Sequence, residues 1–98
     1  MLDKEFPREL LEKLNSEFFE CREILLKYKN LGMTQDKMLI NIEKMRMKFR
    51  YQDDEEAEDN LMDFMDVVLG HCSPEVMVFR KRYSSAEFDL IIKEVRSN

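Results

Sequence analysis

Residues 53–74, DDEEAEDNLMDFMDVVLGHCSP, carry the pattern that decides the fold of this chain. The segment begins with a run of acidic residues. From position 53 to position 59, Ala57 is the single residue that is neither Asp nor Glu. The segment then becomes apolar and stops at Gly70, which HCSP follows. A glycine directly after an apolar periodic run is typical of a helix C-terminus. The segment therefore predicts a helix over about residues 55–69.

This helix has two chemically different sides. At about 100° per residue, four carboxylates share one stripe, which we call the acidic band: Glu56, Asp59, Asp63 and Asp66. With Val67 as the exception, the apolar residues fall on the other side: Leu61, Phe64, Met65, Val68 and Leu69. The pattern predicts a helix that buries one face and exposes negative charge on the other.

Helical periodicity also runs through the residues before this segment. Pro7 suits the first position of a helix and Gly32 its end, so we expect one continuous first helix that starts near Phe6-Pro7. Its buried stripe, widened by Leu11 and Phe19, contains Leu10, Leu14, Phe18, Cys21, Leu25 and Tyr28.

A second helix is predicted after Gly32, with Thr34 as its N-cap and Met33 and Met38 as a hydrophobic staple. Its predicted buried residues are Met38, Leu39, Ile42, Met45 and Phe49. Its predicted exposed side carries Lys37, Lys44, Arg46, Lys48 and Arg50.

The C-terminal third is less uniform. Residues 75–83, EVMVFRKRY, fit either a short helix or an extended crossing, whereas Ser84 and Glu87 form a capping box for a last helix. Its apolar stripe contains Phe88, Ile91, Ile92 and Val95. Two Gly and two Pro are too few for an all-β protein. We expect one all-α domain over residues 1–98, a bundle of four to five helices.

Charge and cysteine usage bear on partners and location. The net charge of −5 disfavours nucleic acid and favours a basic protein partner. The N-terminal sequence MLDKEFPREL has no apolar core, and the longest apolar run is too short to span a bilayer. We therefore expect a cytoplasmic protein that does not bind membranes, with Cys21 and Cys72 as free thiols.

Catalysis and metal binding find little support in the sequence. His71 and Cys72 are adjacent, so their side chains point in different directions, and we expect no enzyme. Residues 53–60 lack the glycine of an EF-hand loop, and one His with two distant Cys supplies few zinc ligands. No Glu-x-x-His pair suggests a di-iron site, so we expect no metal and no cofactor.

The acidic run has two interpretations. It follows the basic end of the second helix, KMRMKFRY, and both charge blocks suit the local helix dipoles, which is a purely structural explanation. Alternatively, carboxylates on a rigid helix can enter a cationic cleft, such as the phosphate-binding groove of a nuclease, and accelerate association.

One resemblance favours the second interpretation. Gly32-Met33-Thr34, the acidic run 53–59 and the segment VVLGHCSP, residues 67–74, resemble motifs of small acidic immunity proteins from contact-dependent growth inhibition and related polymorphic toxin systems. The similarity covers about residues 31–79, and His71 stands where that family has Trp. The resemblance implies an α-helical inhibitor that neutralises a cognate toxin, such as an EndoU-like or other ribonuclease domain.

From the resemblance and the charge together, we expect a monomer that forms a 1:1 complex and covers the basic active-site cleft of its toxin. The predicted toxin-binding residues are Asp53, Asp54, Glu55, Glu56, Glu58, Asp59, Asp63, Asp66 and His71. The alternative is a helical regulatory or adaptor protein, for instance a DNA mimic, that has no toxin partner.

Overall fold

Five helices build the protein in the computed structural model, which describes the backbone of residues 2–97 and the side chains of residues 2–93 and 95. In chain order they are α1 (Leu2–Lys13), α2 (Phe18–Asn30), α3 (Gln35–Tyr51), α4 (Glu55–Leu69) and α5 (Ser85–Ser97). The described residues contain no strand. The all-α prediction is therefore confirmed, and α4 has the bounds that the acidic-then-apolar segment predicts.

Helix α3 occupies the centre and contacts α1, α4 and α5, while α2 packs on α1. Thr34 caps α3 as expected, since its Oγ1 accepts a hydrogen bond from the Lys37 N–H at 3.2 Å. Met33 and Met38 of the predicted staple are both buried. Helix α3 thus begins at a local side-chain cap, and the helices become stable through the apolar faces that they pack against one another.

The prediction of one continuous first helix is wrong, because the chain reverses at residues 14–17 and forms α1 and α2. Its predicted start near Phe6-Pro7 is also wrong, since α1 begins at Leu2 and contains Pro7 in its interior. A single helix over residues 2–30 would be about 43 Å long, whereas the longest dimension of the protein is 32 Å. The reversal brings Phe6 against Tyr28, with ring centroids 5.2 Å apart. It also buries Cys21 completely, and the Cys21 thiol donates a hydrogen bond to the Lys13 carbonyl, 2.9 Å away.

Three helices end in the same way, with one residue in the left-handed conformation. Gly32 (φ 105°) follows α2, Asp53 (φ 56°) follows α3, and Gly70 (φ 86°) follows α4. After α4 the His71 N–H donates to the Asp66 carbonyl (2.9 Å) and the Gly70 N–H to the Val67 carbonyl (3.3 Å), the Schellman pattern. Both glycines of the chain therefore serve as helix stops.

A buried charge network joins α3 to α4. Arg46 donates to both carboxylate oxygens of Glu43, at 2.8 and 3.2 Å, and to Glu58 Oε1 of α4 at 3.1 Å. The hydrogen bonds that Arg46 donates to Glu43 are the main reason that the pKa of Arg46 lies above its ordinary value. The expectation that Arg46 lies on the exposed side of its helix is wrong, because α4 supplies a carboxylate that satisfies it in the interior.

Residues 71–84 return along the end of α4 without forming a helix or a strand. Gln35 holds this segment by donating to the Val68 and Lys81 carbonyls, both at 2.8 Å. The Tyr83 hydroxyl donates to Asp36, and burial is the first cause that raises the pKa of Tyr83 to about 12. Arg22 and Lys29 of α2 also donate to this segment, at the Val76 and Val78 carbonyls, both at 2.8 Å. Side chains of α2 and α3 thus fix the segment, which the composition of residues 75–83 cannot reveal.

The capping box before α5 is confirmed. The Ser84 N–H donates to Glu87 Oε1 and the Glu87 N–H donates to Ser84 Oγ, both at 3.2 Å. Phe88, Ile91 and Ile92 then turn toward the core, with Ile92 fully buried. The last helix therefore begins where the sequence predicts.

Replacing Arg46 with Ala tests the buried network. Arg46→Ala leaves the carboxylate of Glu43 buried without its guanidinium, so we expect a loss of about 3–5 kcal/mol in the free energy of unfolding, measured with urea. Arg50, which also contacts Glu58 but is 65% exposed, is the matched control, and Arg50→Ala should cost less than about 1 kcal/mol. Equal losses would contradict the structural role of Arg46.

The two glycines provide a second test. Nothing lies within 4 Å of a Cβ built on Gly32, whereas one on Gly70 would lie 2.7 Å from Arg82 Cγ and 3.1 Å from Arg82 Cα. Gly32→Ala should therefore cost about 1–2 kcal/mol, from backbone strain alone. Gly70→Ala should cost at least about 1 kcal/mol more, from overpacking. Urea unfolding of both variants measures the difference, and the reverse order would contradict the packing at Gly70.

Candidate functional site

The acidic band lies on the solvent side of α4. Its four members, Glu56, Asp59, Asp63 and Asp66, are all exposed. None of these carboxylates forms a hydrogen bond or an ion pair with another side chain that the structure describes. They therefore form an uncompensated row of negative charge along about three turns of a helix.

Helix α4 holds the band in a fixed orientation. At its N-terminus Asp54 Oδ1 accepts from the Ala57 N–H at 3.2 Å, and at its C-terminus Gly70 closes the Schellman turn. The inward side is buried, including Val67, which the helical pattern placed on the acidic side. Val67 lies in the last turn of α4, where the returning residues 71–84 enclose the helix, as the close approach of Arg82 and Met77 to Gly70 shows.

The remaining predicted contact residues separate into different environments. Asp53, Asp54 and Glu55 are exposed at the start of α4, next to the N-terminal end of the band. Asp53 also takes the left-handed conformation that ends α3. Glu58 differs, because it faces Arg46 and Arg50 and its side chain is 17% exposed. Its carboxylate already pairs with two arginines of the protein. Contact of Glu58 with a partner stays a prediction, and the structure supports it less than the contact of the four exposed carboxylates.

His71 lies exposed just beyond the C-terminus of α4. Its Nε2 is 2.5 Å from the Tyr83 carbonyl oxygen, which requires that this nitrogen carries a proton. The neighbouring Asp66 is exposed as a whole residue, yet partial burial of its carboxyl raises its pKa. The charge of His71 opposes this shift and the charge of Asp63 adds to it. His71 thus lies close to Asp66, at the C-terminal end of the band.

A cleft of about 290 Å³ lies beside the band, where the reversal between α1 and α2 meets α4. Its lining residues are Leu14, Asn15, Ser16, Phe18, Glu56, Asn60, Asp63 and Phe64. Phe18 stacks on Phe64 with ring centroids 5.8 Å apart, and Phe19 packs edge-on against Phe18 at 5.4 Å. Polar groups of the reversal therefore approach the acidic band from one side.

Two aromatic side chains outside α4 are strongly exposed. Phe19 is 67% exposed, contrary to its expected place in the core stripe, and Tyr51 at the end of α3 is 85% exposed. Aromatic residues are enriched at protein–protein interfaces, and both of these side chains are accessible to a partner. The sequence pattern missed Phe19 because it assumed one continuous helix, although the poor helix formers Asn15 and Ser16 mark the break.

The thiols and the metal-binding side chains show no assembled centre. Burial raises the pKa of the thiols of Cys21 and Cys72, which keeps both protonated at neutral pH. Within the described residues, no three His, Cys, Asp or Glu side chains come together in a way that could hold a metal ion. None of the helices there combines the length and hydropathy that crossing a bilayer requires. Noncatalytic function and lack of a cofactor stay predictions.

No protein-family model, curated protein or solved structure matches this chain. The relation to immunity proteins therefore remains a hypothesis, and its structural support comes from the geometry of α4.

The acidic band should lower the stability of the protein. Asp63 and Asp66 repel their neighbours and lie toward the C-terminus of α4, whose last turn has no basic residue. We expect Asp63→Asn combined with Asp66→Asn to raise the free energy of unfolding by about 0.5–1 kcal/mol at low salt. Added salt should reduce the difference in the free energy of unfolding between the variant and the unmodified protein.

The control for this experiment has the opposite sign. Asp54→Ala also removes one carboxylate but destroys the N-cap of α4, so it should lower the free energy of unfolding by about 1 kcal/mol. If the double Asn variant proves less stable than the unmodified protein in the same urea titrations, the band is not a source of repulsion.

Proposed function

We propose that this protein is an immunity protein, an inhibitor that binds and neutralises a cognate bacterial toxin by placing the acidic band of α4 in the basic active-site cleft of that toxin. A nuclease, either EndoU-like or another ribonuclease, is the toxin class that we propose, because a cleft that binds phosphates is cationic. The observation that carries the proposal is the row of four exposed carboxylates without internal partners.

Electrostatics supports this assignment in two ways. Complementary charge speeds diffusional encounter, and its effect is largest when the charges of one partner are concentrated on one surface. The band meets this condition, and its helix is capped at both ends. A rigid binding surface loses little conformational entropy on association, so less of the interaction energy is spent on ordering.

Apolar contacts are the second requirement of a tight complex. Charge alone mainly sets the association rate, whereas buried aromatic side chains usually dominate affinity. Phe19 near the start of α2 and Tyr51 at the end of α3 are strongly exposed aromatic residues. We therefore include both with the acidic band in the proposed toxin-binding surface.

The first experiment is co-expression with the protein encoded immediately upstream, followed by affinity capture at low and high salt. We expect a 1:1 complex that blocks the catalytic activity of its partner and weakens as salt increases. A tight complex that ignores salt would keep the immunity role but move the contact surface away from the band. Absence of a complex would favour the alternative, a regulatory or adaptor protein such as a DNA mimic.

Charge reversal on α4 tests the mechanism within that complex. Glu56→Lys, Asp59→Lys and Asp63→Lys together should slow association at low salt by at least about tenfold. Helicity should stay unchanged by circular dichroism, because the three side chains are exposed. Stopped-flow or biosensor kinetics gives the association and dissociation rates separately.

The matched control reverses three exposed carboxylates on other helices, Glu12, Glu23 and Asp89. This variant has the same net charge, so it separates the location of the charge from its total amount. Equal association rates for the two triple variants would contradict a role for the acidic band.

A further inference from the structure

A groove of about 380 Å³ lies between α1 and α3, and no residue of α4 contributes to it. Its apolar lining consists of Pro7, Leu11, Ile40, Met45 and Phe49. Leu11 is 39% exposed, although the sequence pattern placed it in the core stripe. The volume falls within the range of about 300–1,000 Å³ that is usual for small-molecule sites.

Lysines line one side of this groove. At about 100° per residue, Lys37, Lys44 and Lys48 project from the same side of α3, and all three belong to the groove lining. Arg46, which faces α4, lies on the opposite side of that helix. The positive charge of α3 is therefore divided between an interior network and this surface row.

Two of the three lysines have no internal counter-charge. Lys37 lies 4.0 Å from Asp3, and Asp3 also accepts a hydrogen bond from the buried Asn41. Lys44 and Lys48 form no ion pair with any side chain within the described part of the chain. They are one helical turn apart, a spacing at which like charges repel, so an anion placed between them would relieve that repulsion.

We propose that this groove binds an anionic amphiphile, with its alkyl or acyl chain on Pro7, Leu11 and Ile40 and its head group between Lys44 and Lys48. The combination of apolar lining and two uncompensated ammonium groups selects this class over neutral lipids and over small inorganic anions. A carboxylate, sulfate or phosphate head presents the same acceptor chemistry to lysine. The site is independent of the acidic band and of the toxin-binding role.

The probe is sodium decanoate at concentrations below micelle formation, added to the full chain and followed by calorimetry and by amide chemical shifts. We expect saturable binding with one ligand per protein and shift changes centred on α1 and α3. Two matched probes separate the requirements: acetate has the head without the chain, and decyl maltoside has the chain without the charge. Each should bind at least about tenfold more weakly than decanoate.

Variants then locate the head group. Lys44→Gln combined with Lys48→Gln should weaken decanoate binding by at least about tenfold. The control, Arg80→Gln with Lys93→Gln, removes two exposed positive charges elsewhere and should leave the affinity unchanged. A third variant, Leu11→Ser, shortens the apolar lining at a half-exposed position and should weaken decanoate while leaving the fold intact by circular dichroism.

Several results would overturn the proposal. One is absence of saturable decanoate binding, and another is equal affinity of the Lys44/Lys48 variant and the control variant. Equal binding of decyl maltoside would show that the site recognises only apolar chains. Decanoate shifts centred on α4 or α5 would show that the groove is not the site. Sodium dodecyl phosphate and dodecyl sulfate, compared with laurate, would identify the preferred head group once decanoate binds.

Discussion

The rest of the structure depends on the buried ion pairs that Arg46 forms with Glu43 and Glu58. Arg46 lies between Glu43 of its own helix and Glu58 of α4, and it is 8% exposed. A buried guanidinium tolerates few arrangements, because every N–H must meet an acceptor in the interior. The network therefore fixes the rotation of α4 against α3. The same rotation turns the other carboxylates of α4 outward, so the acidic band follows from an interior constraint.

Local signals predict much of this fold. The bounds of α4, the Thr34 cap and the Ser84–Glu87 capping box all depend on residues within one helical turn, and the structure confirms them. The break between α1 and α2 was missed because the apolar stripe continues through it. Asn15 and Ser16 are the local signal of the break, and the packing of α2 back on α1 stabilises the reversal.

The candidate site was predictable to a similar extent. Periodicity places Glu56, Asp59, Asp63 and Asp66 on one exposed side, as observed. It cannot tell that Glu58 turns inward, because its partner Arg46 lies on another helix. It missed the exposure of Phe19 because it assumed one continuous first helix, whereas it correctly placed Lys44 and Lys48 on the exposed side of α3. Acidic and basic surfaces on different helices make the protein electrically two-sided, which its net charge of −5 conceals.

The thiol of Cys21 connects the first two helices in a way that extends to their motion. It is fully buried on α2 and donates to the carbonyl of Lys13, the last residue of α1. A thiol reagent can reach it only when the two helices separate, whereas Cys72 is half-buried. Wherever Cys21 is alkylated faster than global unfolding allows, the rate of alkylation reports local opening of this region. Cys21 is therefore an intrinsic probe of local opening at the reversal between α1 and α2.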